Sequence, residues 1–221
     1  MPSYKMPHIA VINESSVVDT QTLVSYATAI QHQVNQHVRP KWDVTCTIAV
    51  TDSYPAGENV WPCYVTDTIP VKGALGYHED GVGVPTLHVA AKTTLDAGQS
   101  VSVCMSHEIL EALIDPWCQS AMQVTGNKFY ALEICDACEA DEFGYDIGGV
   151  LVSDFVYPSW FVGSDPGPYD RQHAIQQPMD LLPGGYIGQW TPSTGWTQHT
   201  HSGGAPESHR ITQRAERWPK P

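Results

Sequence analysis

An α+β fold in one domain is what the sequence predicts, and three observations predict it. The chain has 221 residues of which 42% are hydrophobic, enough for one proper core and too much for a disordered chain. Short β-branched runs alternate with segments whose apolar residues recur at helical spacing, so strands and helices are interleaved. Beyond Pro158 the chain is dense in proline, glycine and aromatic residues, which reads as an irregular C-terminal wrap on that core rather than a second one.

Taken in order, His8 to Asn13 is a β-branched run bounded by Pro7 and the polar Glu14-Ser15-Ser16, a buried strand. Asp19 is placed to cap a helix. After it Leu23, Tyr26, Ala27, Ile30, Val34 and Val38 fall on one helical face, and Pro40 is expected to close the segment. Asp43 to Val50, Trp61 to Thr66 and Thr86 to Ala90 have the composition of further strands of a small twisted sheet. The glycines at 73, 76, 81 and 83 mark a loop or bulged hairpin between them. Ser100 to Ile114 is the second main helix, ended by Asp115-Pro116 because a residue before proline is pushed out of the α region. Val150 to Val156 reads as one more strand. The polar stretch from Gln198 to Pro221, with Gly203-Gly204, is expected to be a mobile tail, which sets the domain at 1–197 and the tail at 198–221.

Charge narrows the partners. Eleven basic against 24 acidic side chains leave a net charge of -13, which repels phosphates and anionic lipid, so no nucleic acid and no membrane partner is expected. No apolar run reaches the ~20 residues of a membrane span, and Met1 to Val11 lacks the marks of a signal peptide. Synthesis in a cytoplasm is the corresponding expectation. The six cysteines are irregularly spaced, and Cys135-x-x-Cys138 has no matching second pair, so they are read as mostly buried thiols.

The most informative segment is Ser106-His-Glu-Ile-Leu-Glu-Ala-Leu-Ile-Asp-Pro116. His107, Glu111 and Asp115 lie four apart and share one face of the helix, while Ile109, Leu110, Leu113 and Ile114 take the other sides. One imidazole and two carboxylates aimed at a common point from a buried helix is what a metal site needs. Glu108, beside that point, is the candidate general base, as in His-Glu-x-x-His sites where the Glu deprotonates a metal-bound water. Downstream lies the acidic block Glu133-Ile-Cys-Asp136-Ala-Cys-Glu139-Ala-Asp141. Between residues 106 and 146 there are nine acids and one Lys or Arg, Lys128, a concentration that invites a cation. The competing reading is a solvated acidic face. Against it stands the helix, too apolar to leave a large face in water. His78, or its neighbour Tyr77, is a candidate to stabilise an oxyanion from outside the helix.

At these residues the chain resembles a group of bacterial and tailed-phage proteins sharing Gly73-Ala-Leu-Gly-Tyr-His78, Ser106-His-Glu-x-x-Glu-x-x-x-Asp-Pro116, Glu133-x-Cys-Asp-Ala-Cys-Glu-Ala-Asp141, Val152-Ser-Asp-Phe155 with Trp160-Phe161, and Leu182-Pro-Gly-Gly-Tyr186. More distantly the helix is similar to the zincin metallopeptidases. That resemblance implies a gluzincin-like domain with His107 as first ligand, Glu108 as base, Glu111 in place of the second His, and Glu133 as third ligand on a following helix. Asp115 and Asp136 are the further oxygen ligands such a shell could recruit.

Glu111 for histidine has a chemical cost. A shell of His107, Glu111 and Glu133 neutralises a divalent ion and leaves its water less acidic than a two-His site does. Zinc is the first expectation, and the oxygen-rich shell admits manganese or calcium. The expected function is accordingly a metal-dependent hydrolase acting on a peptide or protein substrate. Its rival is a non-enzymatic virion or interaction protein, bound to other virion proteins and holding a structural ion.

Overall fold

The structure is a computed structural model that describes residues 6–81 and 83–202 and the backbone of 207–210. It has the α+β architecture expected, built on two five-stranded sheets. The first opens with β1 (His8–Glu14), followed by α1 (Thr20–Gln33), a π-helical turn (Val34–Val38) and the short α2 (Arg39–Trp42). Then come β2 (Thr47–Thr51), β3 (Val60–Thr66), β4 (Gly76–Asp80) and β5 (Pro85–Ala90). Their order is β2-β1-β3-β5-β4, parallel except for β4, which pairs antiparallel with β5 and is an edge strand. Ile9, Ala10, Val11 and Ile12 are all buried, the continuous apolar run of a parallel strand covered on both faces.

Asp19 caps α1 as expected, its Oδ1 accepting the Thr22 N–H at 2.7 Å. The apolar stripe Leu23, Ala27, Ile30, Val34 and Val38 is buried along its whole length. Pro40 does not close the segment. A proline removes one N–H and crowds the carbonyl a turn before it, and the wider π turn just ahead accommodates both demands. The helix ends at Asp43, which takes the left-handed conformation at φ 53°, so β2 starts at Thr47 rather than Asp43. The glycine-rich stretch is a hairpin, β4 to β5.

After α3 (Ala91–Asp96) the chain enters α4 (Val101–Ile114), which packs on β4 and β5. Twelve of its residues are buried, on all sides. The second sheet is antiparallel, ordered β12-β11-β10-β7-β6, from β6 (Ala121–Thr125), β7 (Lys128–Ala131), β10 (Tyr186–Thr191), β11 (Gly195–Thr200) and β12 (Glu207–Arg210). Between β7 and β10 the hairpin of β8 (Tyr145–Ile147) and β9 (Val150–Val152) packs against both α1 and α4.

The C-terminal part is therefore more regular than its composition predicts. β10 and β11 form a hairpin within the expected wrap, and β11 crosses the 197/198 boundary, so residues 198–200 and 207–210 belong to the sheet. Of the rest of the expected tail, 203–206 and 211–221 lie outside the described residues. β9 stops at Val152 because side chains take over the next amides. Ser106 Oγ accepts from Ser153 N at 2.8 Å and Asp154 Oδ1 from Phe155 N at 2.7 Å. No helix among the described residues is long and apolar enough to cross a membrane.

Candidate metal centre

His107, Glu108 and Glu111 stand on the part of α4 that is buried on every side, with 7%, 4% and 3% of their surfaces exposed. That removes the solvated-face reading, since a helix apolar all round is interior and its acids must find partners there. The burial of Met105, Ile109, Leu110 and Leu113 drives the helix inward, and the three polar residues are carried with it.

The third group comes from the acidic block. After β7 the chain passes Glu133 and folds into a 3-10 turn, Asp136–Cys138, rather than the helix the zincin resemblance implies. His107 Nε2 lies 3.3 Å from Glu111 Oε2 and 3.3 Å from Asp136 Oδ1. Tetrahedral coordination with bonds of about 2.0–2.1 Å separates neighbouring ligand atoms by about 3.3–3.4 Å, so each carboxylate oxygen already stands at ligand spacing from the imidazole nitrogen. Two backbone features hold them. The Cys135 N–H donates to Glu111 Oε1 at 3.1 Å, leaving Oε2 turned to His107. A Cβ at Gly185 would lie 2.8 Å from the Ala137 carbonyl carbon and 3.0 Å from the Asp136 carbonyl oxygen, so the chain entering β10 presses on the Asp136 turn through a glycine.

Glu133, the third ligand by resemblance, is fully buried on another side of Glu111, with Oε2 4.0 Å from His78 Nε2. His78, Glu111 and Glu133 form a second group with ligand atoms within 4.8 Å of one another, as do His107, Glu111 and Asp136. Within the acidic block, the fold gives Asp136 rather than Glu133 the place beside His107.

His78 reaches the centre from β4. Period-2 alternation turns Gly76 and His78 inward and Tyr77 outward, where its ring stacks on His88 with centroids 4.5 Å apart. Tyr77 is therefore turned away from the centre. His78 Nδ1 is 3.6 Å from Glu108 Oε2, and Nε2 is 3.1 Å from the Asp115 carbonyl oxygen. The imidazole is wedged between Glu108 and the end of α4.

Asp115 itself is not brought into either group. Its Oδ1 accepts the Gln119 and Ser120 N–H groups at 3.0 Å each, so its carboxylate organises the turn after α4. Glu108 and His107 instead face a cleft lined also by Gly76, Cys104, Glu139 and Asp141. A candidate base and a candidate ligand thus share the one opening.

Burial, reinforced by the Asp136 charge, pushes the Glu111 carboxyl up to about 8, against the opposing pull of His107. Burial alone would lower both imidazoles. The carboxylates overcome it, Glu111 and Asp136 lifting His107 well above the ordinary value, while Cys118, Glu108 and Glu133 do the same for His78. Acids and imidazoles thus hold protons for one another in a dry place, and a cation bound there would displace those protons.

Three contributors escape sequence reasoning: the Cys135 amide, Gly185, and Gly76, whose Cβ would meet Glu108 Oε1 at 2.8 Å. A backbone donor leaves no side-chain signal, and a glycine does not show what presses on it. All six cysteines are free thiols, four of them buried, as expected. Set against known protein families, curated proteins and solved structures, the chain matches none of them.

Proposed function

We propose that the protein is a metal-dependent hydrolase acting on peptides, with His107, Glu111 and Asp136 as ligands and Glu108 as general base. The observation that carries this reading is the pairing of His107 and Glu108 on one cleft, with two further carboxylate oxygens 3.3 Å from His107 Nε2. A divalent ion bound there supplies Lewis acidity to a substrate carbonyl and acidity to a water. Glu108 is not in either ligand group, so its carboxylate can take a proton at the cleft and return it to a leaving amine. Support for a peptide comes from β4, an edge strand of the first sheet that brings Gly76 to the cleft. An extended chain can add to such an edge through backbone hydrogen bonds. The net charge of -13 disfavours phosphate-bearing substrates.

The ligands favour zinc by spacing and admit manganese by their oxygen content. Elemental analysis of the purified protein, with peptide-library hydrolysis in supplied zinc or manganese, tests the reading. Stoichiometric metal lost in His107→Ala and Glu111→Ala, together with metal-dependent cleavage, is the expected result. Metal unchanged in both variants would remove the site.

A second reading has its own observation. The ligands join α4, packed on the first sheet, to a turn pressed by the second, so an ion there would also cross-link the two halves of the core. Metal binding without cleavage of any peptide would favour this structural role, in a virion or other assembly.

A further inference from the structure

Glu111 belongs to two groups of ligating atoms at once, and the second is as dry as the first. His78, Glu111 and Glu133 are all buried, with ligand atoms within 4.8 Å of one another. His78 Nε2 faces Glu133 Oε2 at 4.0 Å and the Asp115 carbonyl oxygen at 3.1 Å. The 3.1 Å contact is a hydrogen bond donated by Nε2 to the carbonyl. Octahedral coordination with bonds of about 2.0–2.4 Å places neighbouring ligand atoms about 2.8–3.4 Å apart, so an ion replacing the Nε2 proton would find the nitrogen and the carbonyl at ligand spacing. On the far side of the ring, Nδ1 faces Glu108 Oε2 at 3.6 Å. An imidazole with one nitrogen toward a ligand set and the other toward a carboxylate is the arrangement that orients a metal-bound histidine.

We propose that the centre is dinuclear: a second divalent cation is held by His78, Glu133 and the Asp115 carbonyl, and Glu111 bridges it to the ion at His107 and Asp136. The proposal rests on the reading of the His107 group as a metal centre. Charge bears on the second ion as well as distance does. Four carboxylates, on Glu108, Glu111, Glu133 and Asp136, are buried together, and the sole Lys or Arg between residues 106 and 146 is Lys128. Once the acids are ionised and both imidazoles serve as neutral ligands, one divalent cation offsets two of the four carboxylate charges, and two offset all four. The bridging geometry is also available to Glu111. Its Oε2 is turned to His107, while Oε1, which accepts the Cys135 N–H, keeps a second lone pair. The second shell is richer in oxygen than the first and includes a backbone carbonyl, which suits manganese better than zinc.

Paired ions set about 3.5–4 Å apart by a carboxylate can hold both the attacking and the leaving atoms of a hydrolysis. That restores the Lewis acidity which an anionic ligand in place of a second histidine takes from a single ion.

Manganese tests the proposal, because two bridged Mn(II) ions give an exchange-coupled electron paramagnetic resonance spectrum and one isolated ion gives six lines. The full chain is stripped with chelator, titrated with Mn(II) by calorimetry, and examined by elemental analysis and resonance at saturation. Two ions per chain with a coupled spectrum are expected. His78→Gln and Glu133→Gln should each retain one ion with the six-line spectrum, and His107→Gln should lose the other. The wild-type spectrum decides the matter even where a variant fails to fold. One ion per chain, unaffected by His78→Gln, would overturn the second site and leave the hydrolase reading standing. Two uncoupled ions would overturn the Glu111 bridge. No bound ion, with zinc or manganese, would overturn both readings together.

Discussion

Gly76 and Glu108 are so close that a side chain at position 76 would have to displace Glu108. A Cβ at position 76 would lie 2.8 Å from Glu108 Oε1 and 2.9 Å from its Cγ, closer than real Cβ atoms approach. The edge strand thus seats the candidate base, and the relationship is testable. Gly76→Ala should displace the Glu108 carboxylate and cost about 1–3 kcal/mol by overpacking. Metal content should persist, because His107, Glu111 and Asp136 do not touch Gly76 in this way. Elemental analysis beside a denaturant melt checks both halves.

For Glu108 itself, a base that is not a ligand can be lost without losing the ion. Glu108→Gln is nearly isosteric, should keep stoichiometric metal, and should lower the hydrolysis rate about 10²–10⁴-fold. Loss of metal in this variant would instead make Glu108 a ligand. Rates with a cleaved library peptide, read against metal content, separate the outcomes.

Removing the ion should destabilise the fold. Glu111, Glu133 and Asp136 are crowded in the interior, and a cation bound to the native state alone stabilises it by about 2.7 kcal/mol at a free concentration about a hundred times its dissociation constant. Chelator should therefore lower the melting temperature, and added zinc or manganese should restore it. A melting curve indifferent to both would count against any metal here.

Asp115 offers a contrast within the same helix. Its carboxylate accepts backbone N–H groups of Gln119 and Ser120. Asp115→Ala should cost about 1–2 kcal/mol by leaving those donors unsatisfied, with metal stoichiometry unchanged because a carbonyl survives the substitution. A variant that loses an ion would return the carboxylate to the ligand set.

A pH effect is expected at a second pair of buried carboxylates. Asp154 and Asp170 are buried side by side in the segment after β9, and Asp154 Oδ1 accepts N–H groups from Phe155, Arg171 and Gln172. Burial and the Asp170 carboxylate push Asp154 up to about 9 from 3.8. The native state then binds more protons than the unfolded chain between those values, so this pair's contribution is present at low pH and is lost as pH rises through about 9. Melting temperature should fall between about pH 5 and pH 9, with metal held saturating, and Asp154→Asn should flatten that slope. An equal slope in the variant would remove the pair as its cause.

The sequence by itself determined the elements whose pattern is local. Spacing announced α1 and its Asp19 cap, the apolar run of β1, and an α4 that turns His107 and Glu111 to one side, because a period of 3.6 or 2 is written in neighbouring residues. It also marked the acidic block as the place from which a third ligand would come. Only the tertiary structure decided that Asp136 rather than Glu133 stands beside His107, that Glu133 turns to His78, and that Asp115 spends its carboxylate on a turn. Those choices depend on where a 3-10 turn docks on α4 and on amides such as Cys135, which no residue type announces. The hairpin of β10 and β11 was hidden for a related reason. Most of its residues are only partly buried and it is set among prolines and glycines, so it depends on pairing with β7, a partner distant in sequence.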